Sequence, residues 1–353
     1  MPNNWSTSTA SSYSGQFIGT PNNGSFVHTM SLGGTVTTGF GYNAVGNPYP
    51  SALNVAAFID GNISPAVVSD NIEGTLWFWR KTNNPLTSIS YTTITKAGIS
   101  NLGNVGSGFY PDPSVISIGQ GFIVQAKTAT LNYNNAMRSN SNVNQFFKES
   151  PKNRYWIELK NKDAVSFGQN LIAYLDGATV GYDNGYDGLF INDVKTTLLT
   201  LSGDKEVVIQ ARPEFNNQDV LPLIFKTDVA GTYTINLAET EGLFNNGQEI
   251  LLKDKVTGLT QILNNASYSF TTIEGGFTDR FEISYQNSLA VSTPNFNENN
   301  VVVYKKNQAL VINSGNVIID NVKVYDIQGR LLFDKTKVNA SELKISTNTT
   351  NEI

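Results

Sequence analysis

Along most of the chain, short runs of β-branched and aromatic residues alternate with polar ones and are cut off by Gly, Asn or Asp. That period of two predicts strands rather than helices. Arg154 to Lys160 puts Tyr155, Ile157 and Leu159 on one side and Trp156, Glu158 and Lys160 on the other, which predicts a strand with one wet face. Three pairs of such runs predict hairpins. The runs from Leu223 and from Thr232 flank Asp228-Val229-Ala230-Gly231, those from Ile250 and from Leu259 flank Lys255-Val256-Thr257-Gly258, and those from Tyr268 and from Phe281 flank Glu274-Gly275-Gly276. Helical spacing is confined to short stretches, Ala52 to Ile59 and Val143 to Phe147. Strands joined this way predict an all-β fold of tandem antiparallel β-sandwich modules, jelly-roll or Ig-like, and argue against βαβ units.

Two lapses in the pattern divide the chain. Around Lys148-Glu149-Ser150-Pro151-Lys152-Asn153 charge and proline replace apolar alternation, and Val291-Ser292-Thr293-Pro294-Asn295-Phe296-Asn297 reads as linker. The expected modules are a Gly/Asn-rich sandwich over residues 1–150, a second sandwich over 151–287, a linker over 288–300 and a short module over 301–353.

Composition narrows the chemistry. Charged residues are only 15% of the 353, and the formal net charge is −5, so there is no broad basic surface for phosphate backbones and nucleic acid is not expected as a partner. Cysteine is absent, which removes disulfides, thiolate zinc sites and cysteine nucleophiles. No run is long and apolar enough for a membrane-spanning helix. The opening Met1-Pro2-Asn3-Asn4-Trp5 has neither the basic nor the apolar region of a secretory signal, so an exported form is expected to come from a longer precursor.

The short last module carries Val322-Lys323-Val324-Tyr325-Asp326-Ile327-Gln328-Gly329-Arg330-Leu331-Leu332, followed by Leu343-Lys344-Ile345. Unaided, this reads as strand, turn and strand, with Val322, Val324, Leu331 and Phe333 as candidates for a packed face and Arg330 as an exposed cation. It resembles the C-terminal sorting domain of the type IX secretion system of Bacteroidetes, whose hallmark is a D-x-x-G-R turn between two strands. The resemblance implies that Tyr325, Asp326, Gly329, Arg330 and Leu331 form the sorting motif, that translocon and shuttle components are partners, and that the protein is secreted or displayed at the cell surface. Val301-Val302-Val303-Tyr304 stands where such domains often open with Pro-Asn-Pro, and the chain stops at Asn351-Glu352-Ile353, where members usually continue into further strands. A truncated, poorly packed module is the expectation. Upstream, Gly41 to Ser51, Gly74-Thr75-Leu76-Trp77-Phe78-Trp79, Gly119 to Val124 and Gly181 to Asp187 resemble the region preceding that domain in Flavobacterium-like secreted proteins. The implied role is a non-catalytic, adhesin-like accessory or display region.

Candidate chemistry is sparse. His28 is the single histidine, and no nucleophile elbow or zinc-binding helix motif accompanies it, so an enzyme is not expected and His28 reads as an ordinary strand residue. Asp176, Asp183, Asn184, Asp187, Asn192 and Asp193 place enough oxygen donors in one Gly-rich stretch to suggest calcium, the four aspartates being the candidate ligands. The competing reading is that Asp183 and Asp187 cap turns. Trp77 and Trp79 share one strand face and would make a sugar-stacking pair if exposed, the signature of a carbohydrate-binding module from a secreted polysaccharide-degrading enzyme, while burial of one face in a sandwich core is the commoner outcome for such aromatics. Tyr49, between Pro48 and Pro50, reads as holding a rigid turn.

Overall fold

Strand is the dominant element of the computed structural model, which describes residues 18–33, 41–65, 68–80, 90–101, 113–139, 152–192, 194–285, 301–306, 309–315 and 317–346. The chain forms two compact units, Met1–Gln286 and Asn287–Ile353. The linker expected over 288–300, the helix expected over Val143 to Phe147 and the residues after Ser346 lie outside the described residues. Both units are built from β-sheets, so the fold is all-β and sandwich-like.

In the first unit an eleven-stranded sheet dominates. Its order runs Leu259–Ile262, Leu251–Asp254, Gly275–Ser284, Val220–Thr227, Thr197–Ser202, Lys205–Arg212, Ser166–Tyr174, Asn153–Asn161, Gly231–Glu241, Tyr268–Thr272, with Gly188–Leu189 added beside Lys205–Arg212. Phe281 and Phe270 lie on strands seven places apart in that order, about 34 Å in a flat sheet. Their rings are nevertheless 4.7 Å apart. The sheet therefore folds back on itself and closes over an aromatic core in which Phe225 also meets Tyr233 at 5.4 Å.

That closure corrects two of the three expected hairpins. Leu251–Asp254 and Leu259–Ile262 do pair across the Lys255–Gly258 turn, where Gly258 takes a left-handed φ of 75°. Val220–Thr227 and Gly231–Glu241 do not pair with each other, and neither do Tyr268–Thr272 and Gly275–Ser284. Their connections cross from one layer to the other. Tyr233 pins the first crossing by bonding through its hydroxyl to Thr227 Oγ1 and to the Val229 carbonyl, at 2.7 and 2.8 Å.

Among the described residues one strand pairing is parallel, Leu171–Tyr174 with Ile209–Arg212. A parallel pair requires a crossover rather than a tight turn. Here the chain after Tyr174 runs through the Asp-rich loop before returning to the sheet.

The wet face expected for Asn153–Asn161 is also corrected. Tyr155, Ile157 and Leu159 point into the sandwich core, but Trp156 and Glu158 are buried as well. Trp156 packs with Leu171, Ala173, Leu199, Val208 and Ile209 into a second apolar layer that includes Ala97 from the preceding part of the chain. That part holds a five-stranded sheet, Tyr42–Gly46, Gly121–Ala126, Ile72–Arg80, Ser90–Thr95, Gly98–Asn101, around its own core of Leu53, Phe58, Ile59, Leu76, Phe78 and Phe122. Residues 18–139 and 152–285 thus carry separate cores yet bury a shared layer. The segment from Ala52 is strand to Asn54 and helix only from Val55 to Asp60, with the Asn54 side chain capping the Ala57 N–H at 2.8 Å.

The second unit is smaller, with a three-stranded sheet (Val302–Lys306, Ala309–Asn313, Glu342–Ser346) and the hairpin Ile319–Tyr325 with Leu331–Ala340. Val311, Ile312 and Leu343 are buried, and Val322, Val324 and Phe333 are half-buried, but Leu331 is exposed rather than packed.

A buried ion pair anchors one end of the large sheet. Asp254 accepts from Arg280 Nη2 at 2.9 Å, the Tyr268 hydroxyl at 3.0 Å and the Val256 N–H at 2.9 Å, while Arg280 lies against Phe270 and Phe281. Burial pushes the Asp254 carboxyl up, but the guanidinium and the other two donors prevail and hold it below the ordinary carboxylate value. Its folded value being depressed, the stability it contributes is present above about pH 4 and lost as pH falls through the folded value. Asp254→Asn leaves Arg280 buried without its counter-charge and is predicted to cost about 3–5 kcal/mol, read from the shift of the urea midpoint at pH 7. A shift below about 1 kcal/mol contradicts that assignment.

Candidate functional site

The hairpin of the second unit turns through Asp326, Ile327, Gln328 and Gly329, and local hydrogen bonding accounts for its residue types. Asp326 Oδ1 accepts from the Gln328 and Arg330 N–H groups at 3.0 and 2.8 Å, and Oδ2 accepts from Arg330 Nε at 3.0 Å. The backbone closes at both ends, Gly329 N–H to the Asp326 carbonyl and Asp326 N–H to the Arg330 carbonyl, each at 3.0 Å. Gly329 sits at φ 80°, a region that penalises any side chain. The Arg330 N–H above all, then that of Gln328 and the guanidinium, hold the Asp326 carboxyl below its ordinary value.

Asp326, Gly329 and Arg330 are therefore the acceptor, the left-handed hinge and the clamp of one turn. Around it Tyr325, Ile327, Leu331 and Leu332 are exposed, and the Arg330 side chain is 74% exposed beyond its contact with Asp326. The turn offers an apolar rim beside a fixed cation.

The Asp-rich stretch of the first unit is a clasp between residues 18–139 and 152–285. Asp187 is fully buried, and its carboxylate accepts from the Asp183 and Ala211 N–H groups, both at 2.7 Å, and from Ser202 Oγ at 2.9 Å. Asp183 accepts from the Thr179 N–H at 2.6 Å and from Thr179 Oγ1 at 3.0 Å. Asn184 takes the Gly74 N–H at 2.6 Å and donates to Asp70 at 2.8 Å. Asp176 is exposed at the start of the loop, and Asp193 lies outside the described residues. Asp183 and Asp187 cap their own loop at Thr179 and Asp183, while the remaining bonds of Asp187 and those of Asn184 reach other segments of the chain. Among the described residues no group of three or more His, Cys, Asp or Glu side chains could hold a metal ion.

The clasp requires glycine at one contact. A Cβ on Gly74 would lie 2.4 Å from the Cα of Gly185, itself at φ 87°, so the two backbones touch where side chains cannot enter. Beside that contact Glu73 accepts from the Tyr182 hydroxyl and from Lys205 Nζ, both at 3.0 Å, and Lys205 stands over the Tyr182 ring. The sequence offers no local signal for this network, because Glu73 is more than a hundred residues from both Tyr182 and Lys205.

Trp77 and Trp79 are not a platform. Trp77 is completely buried, donates from Nε1 to the Leu189 carbonyl at 3.1 Å and meets the Tyr42 ring edge-on, so it belongs to the clasp. Trp79, two residues on, is 55% exposed and pairs edge-to-face with Tyr91. One accessible indole does not give the paired stacking surface that carbohydrate binding was expected to use. Tyr49 is buried, donates to the Gly24 carbonyl at 2.6 Å and forms the floor of an open depression of about 310 Å³ rimmed by Pro21, Pro48, Pro50 and Ile118. His28 is an exposed residue of the Phe26–Thr29 strand.

Residues 1–285 match the domain of unknown function DUF8693, and residues 289–352 match the domain of unknown function DUF8694. The first match covers most of the chain, which therefore belongs to the DUF8693 family. The boundary between the matches falls where the two compact units divide. No curated protein and no solved structure matches the chain. No helix among the described residues is long and apolar enough to cross a membrane.

Asp187 gives the clasp a pH signature. Burial raises its carboxyl to about 6, against the lowering pull of the Asp183 and Ala211 N–H groups and the Ser202 hydroxyl. A raised folded value means that the folded chain holds the proton more tightly than the unfolded one, whose aspartates titrate near pH 4. This group's contribution to stability therefore falls as pH rises from about 4 to about 6, by about 3 kcal/mol in all. Urea unfolding across that interval is predicted to show a declining component that Asp187→Asn removes, and an unchanged slope in the variant contradicts the assignment.

Proposed function

We propose that this chain is the non-catalytic, adhesin-like display region of a secreted bacterial surface protein, with residues 301–353 serving as a type IX sorting signal for carriage across the outer membrane. The observation that carries the reading is the Asp326–Arg330 turn. Its D-x-x-G-R residues are tied to one another and leave Arg330 and four apolar side chains facing solvent. A folded body gains nothing by exposing Tyr325, Ile327, Leu331 and Leu332 together unless another surface covers them. The partners are then translocon and shuttle components, which meet the turn as a preformed shape.

The large unit suits the cargo role. Its central strands, such as Asn153–Asn161, Ser166–Tyr174 and Lys205–Arg212, are largely buried on both faces, and many of its polar contacts run between segments distant in sequence, which suits a stable body for presentation. It is the part that the export step delivers to the surface.

The test is export of the full chain behind a secretory signal in a Bacteroidetes host with an active type IX system. Surface labelling is predicted to detect the intact chain, and Asp326→Ala combined with Arg330→Ala is predicted to leave it in the periplasm with the first unit still folded. Undiminished surface labelling of a chain lacking residues 287–353 contradicts the reading.

A further inference from the structure

Among the buried side-chain oxygens of the large sheet that lack a hydrogen-bond partner, one lies beside an ion pair. Glu158 and Asn236 are directly opposite each other on the neighbouring antiparallel strands Asn153–Asn161 and Gly231–Glu241, and Lys160 is opposite Thr234, one diagonal step away. All three side chains share a sheet face, since they differ by even steps in register. Glu158 is buried, and its Oε2 is 2.9 Å from Lys160 Nζ and accepts from Asn236 Nδ2 at 3.2 Å. Asn236 Oδ1 is buried and has no hydrogen-bond partner. Leaving such an oxygen bare costs on the order of 1–3 kcal/mol.

An amine and a carboxamide held on one carboxylate oxygen are the reactants of a transamidation with its proton carrier in place. We propose that Lys160 and Asn236 join in a self-catalysed isopeptide bond that ties the two strands together covalently. Glu158 takes a proton from the Lys160 ammonium and becomes a carboxylic acid. The freed lone pair attacks Asn236 Cγ while the amide turns about Cβ–Cγ, bringing the orphaned Oδ1 to the new Glu158 O–H. The tetrahedral intermediate collapses as the Cγ–Nδ2 bond breaks. The departing nitrogen leaves as ammonium with the protons that Lys160 gave up, and Glu158 returns to its carboxylate. Ammonium and amide go in, an amide and ammonium come out, and neither water nor an oxidant takes part.

The reach is adequate. Diagonal partners across an antiparallel pair have Cα atoms about 7–8 Å apart, within the span of a lysine joined to an asparagine carbonyl. Proximity supplies the rate, because three groups fixed on adjacent strands react as one molecule rather than meeting from solution. The Gly231–Glu241 strand separates Asn153–Asn161 from the edge strand Tyr268–Thr272. A covalent tie there would resist peeling from that edge. The inference concerns the first unit alone and stands whether or not the export reading does.

Intact-mass measurement on the purified full-length chain tests it. The expected mass is that of the sequence less one ammonia, and the tryptic digest is expected to contain residues 155–162, uncleaved after Lys160, linked to residues 227–253. Lys160→Arg keeps a cation on Glu158 but cannot form the bond. It is expected to restore the full mass with an unchanged far-ultraviolet circular dichroism spectrum. A wild-type chain at its full sequence mass overturns the proposal, and so does an ammonia loss that maps to a cyclised asparagine elsewhere.

Discussion

A sheet whose two faces are both apolar cannot stand in water, and the arrangement of the first unit follows from that constraint. On Asn153–Asn161 the inward face supplies Tyr155, Ile157 and Leu159 to the sandwich core, while Trp156 on the other face is as dry as they are. Something must cover Trp156. The cover is the segment around Ala97 to Ser100: Ile99 offers its carbonyl to the indole N–H at 2.7 Å, Ala97 its carbonyl to Arg154 at the same distance, and Ser100 bonds to the Gln169 carbonyl at 2.6 Å. Polar backbone at the junction is thus satisfied by partners across it, and apolar surface is buried at the same stroke.

The Asp-rich loop completes that cover because the parallel strand pair forces a crossover, and the crossover passes between the two cores. Its aspartates and asparagine bond to backbone groups of their own loop, of strand Lys205–Arg212 and of Gly74 in strand Ile72–Arg80, where an unpaired N–H would otherwise be sealed from water. The result is a junction held by directional bonds around a dry centre.

Alternation told strand from helix nearly everywhere because burial on a sheet face enforces it. It could not tell a hairpin from a crossing, since Asp228–Gly231 and Lys255–Gly258 use the same turn residues and only distant pairings separate them. Nor could it show that Trp156 and Glu158 face protein rather than solvent, because the surface covering Trp156 comes from more than fifty residues upstream. Trp77 and Trp79 looked equivalent by periodicity, and the loop around Leu189 covers just one of them. The Asp326–Arg330 turn was legible for the opposite reason. Its bonds close within five residues, so residue type and position carry all the information. The boundary expected near residue 150 falls inside the Met1–Gln286 unit, between two cores that share a buried layer.

That shared layer is most directly tested by asking whether residues 18–139 and 152–285 unfold together. Hydrogen exchange followed by mass spectrometry through a urea titration reads both halves in the same molecules. The shared dry layer predicts one transition, with strands Ile72–Arg80 and Ser166–Tyr174 losing protection at the same urea concentration. Two separated transitions, one half still protected while the other is fully exchanged, would contradict it.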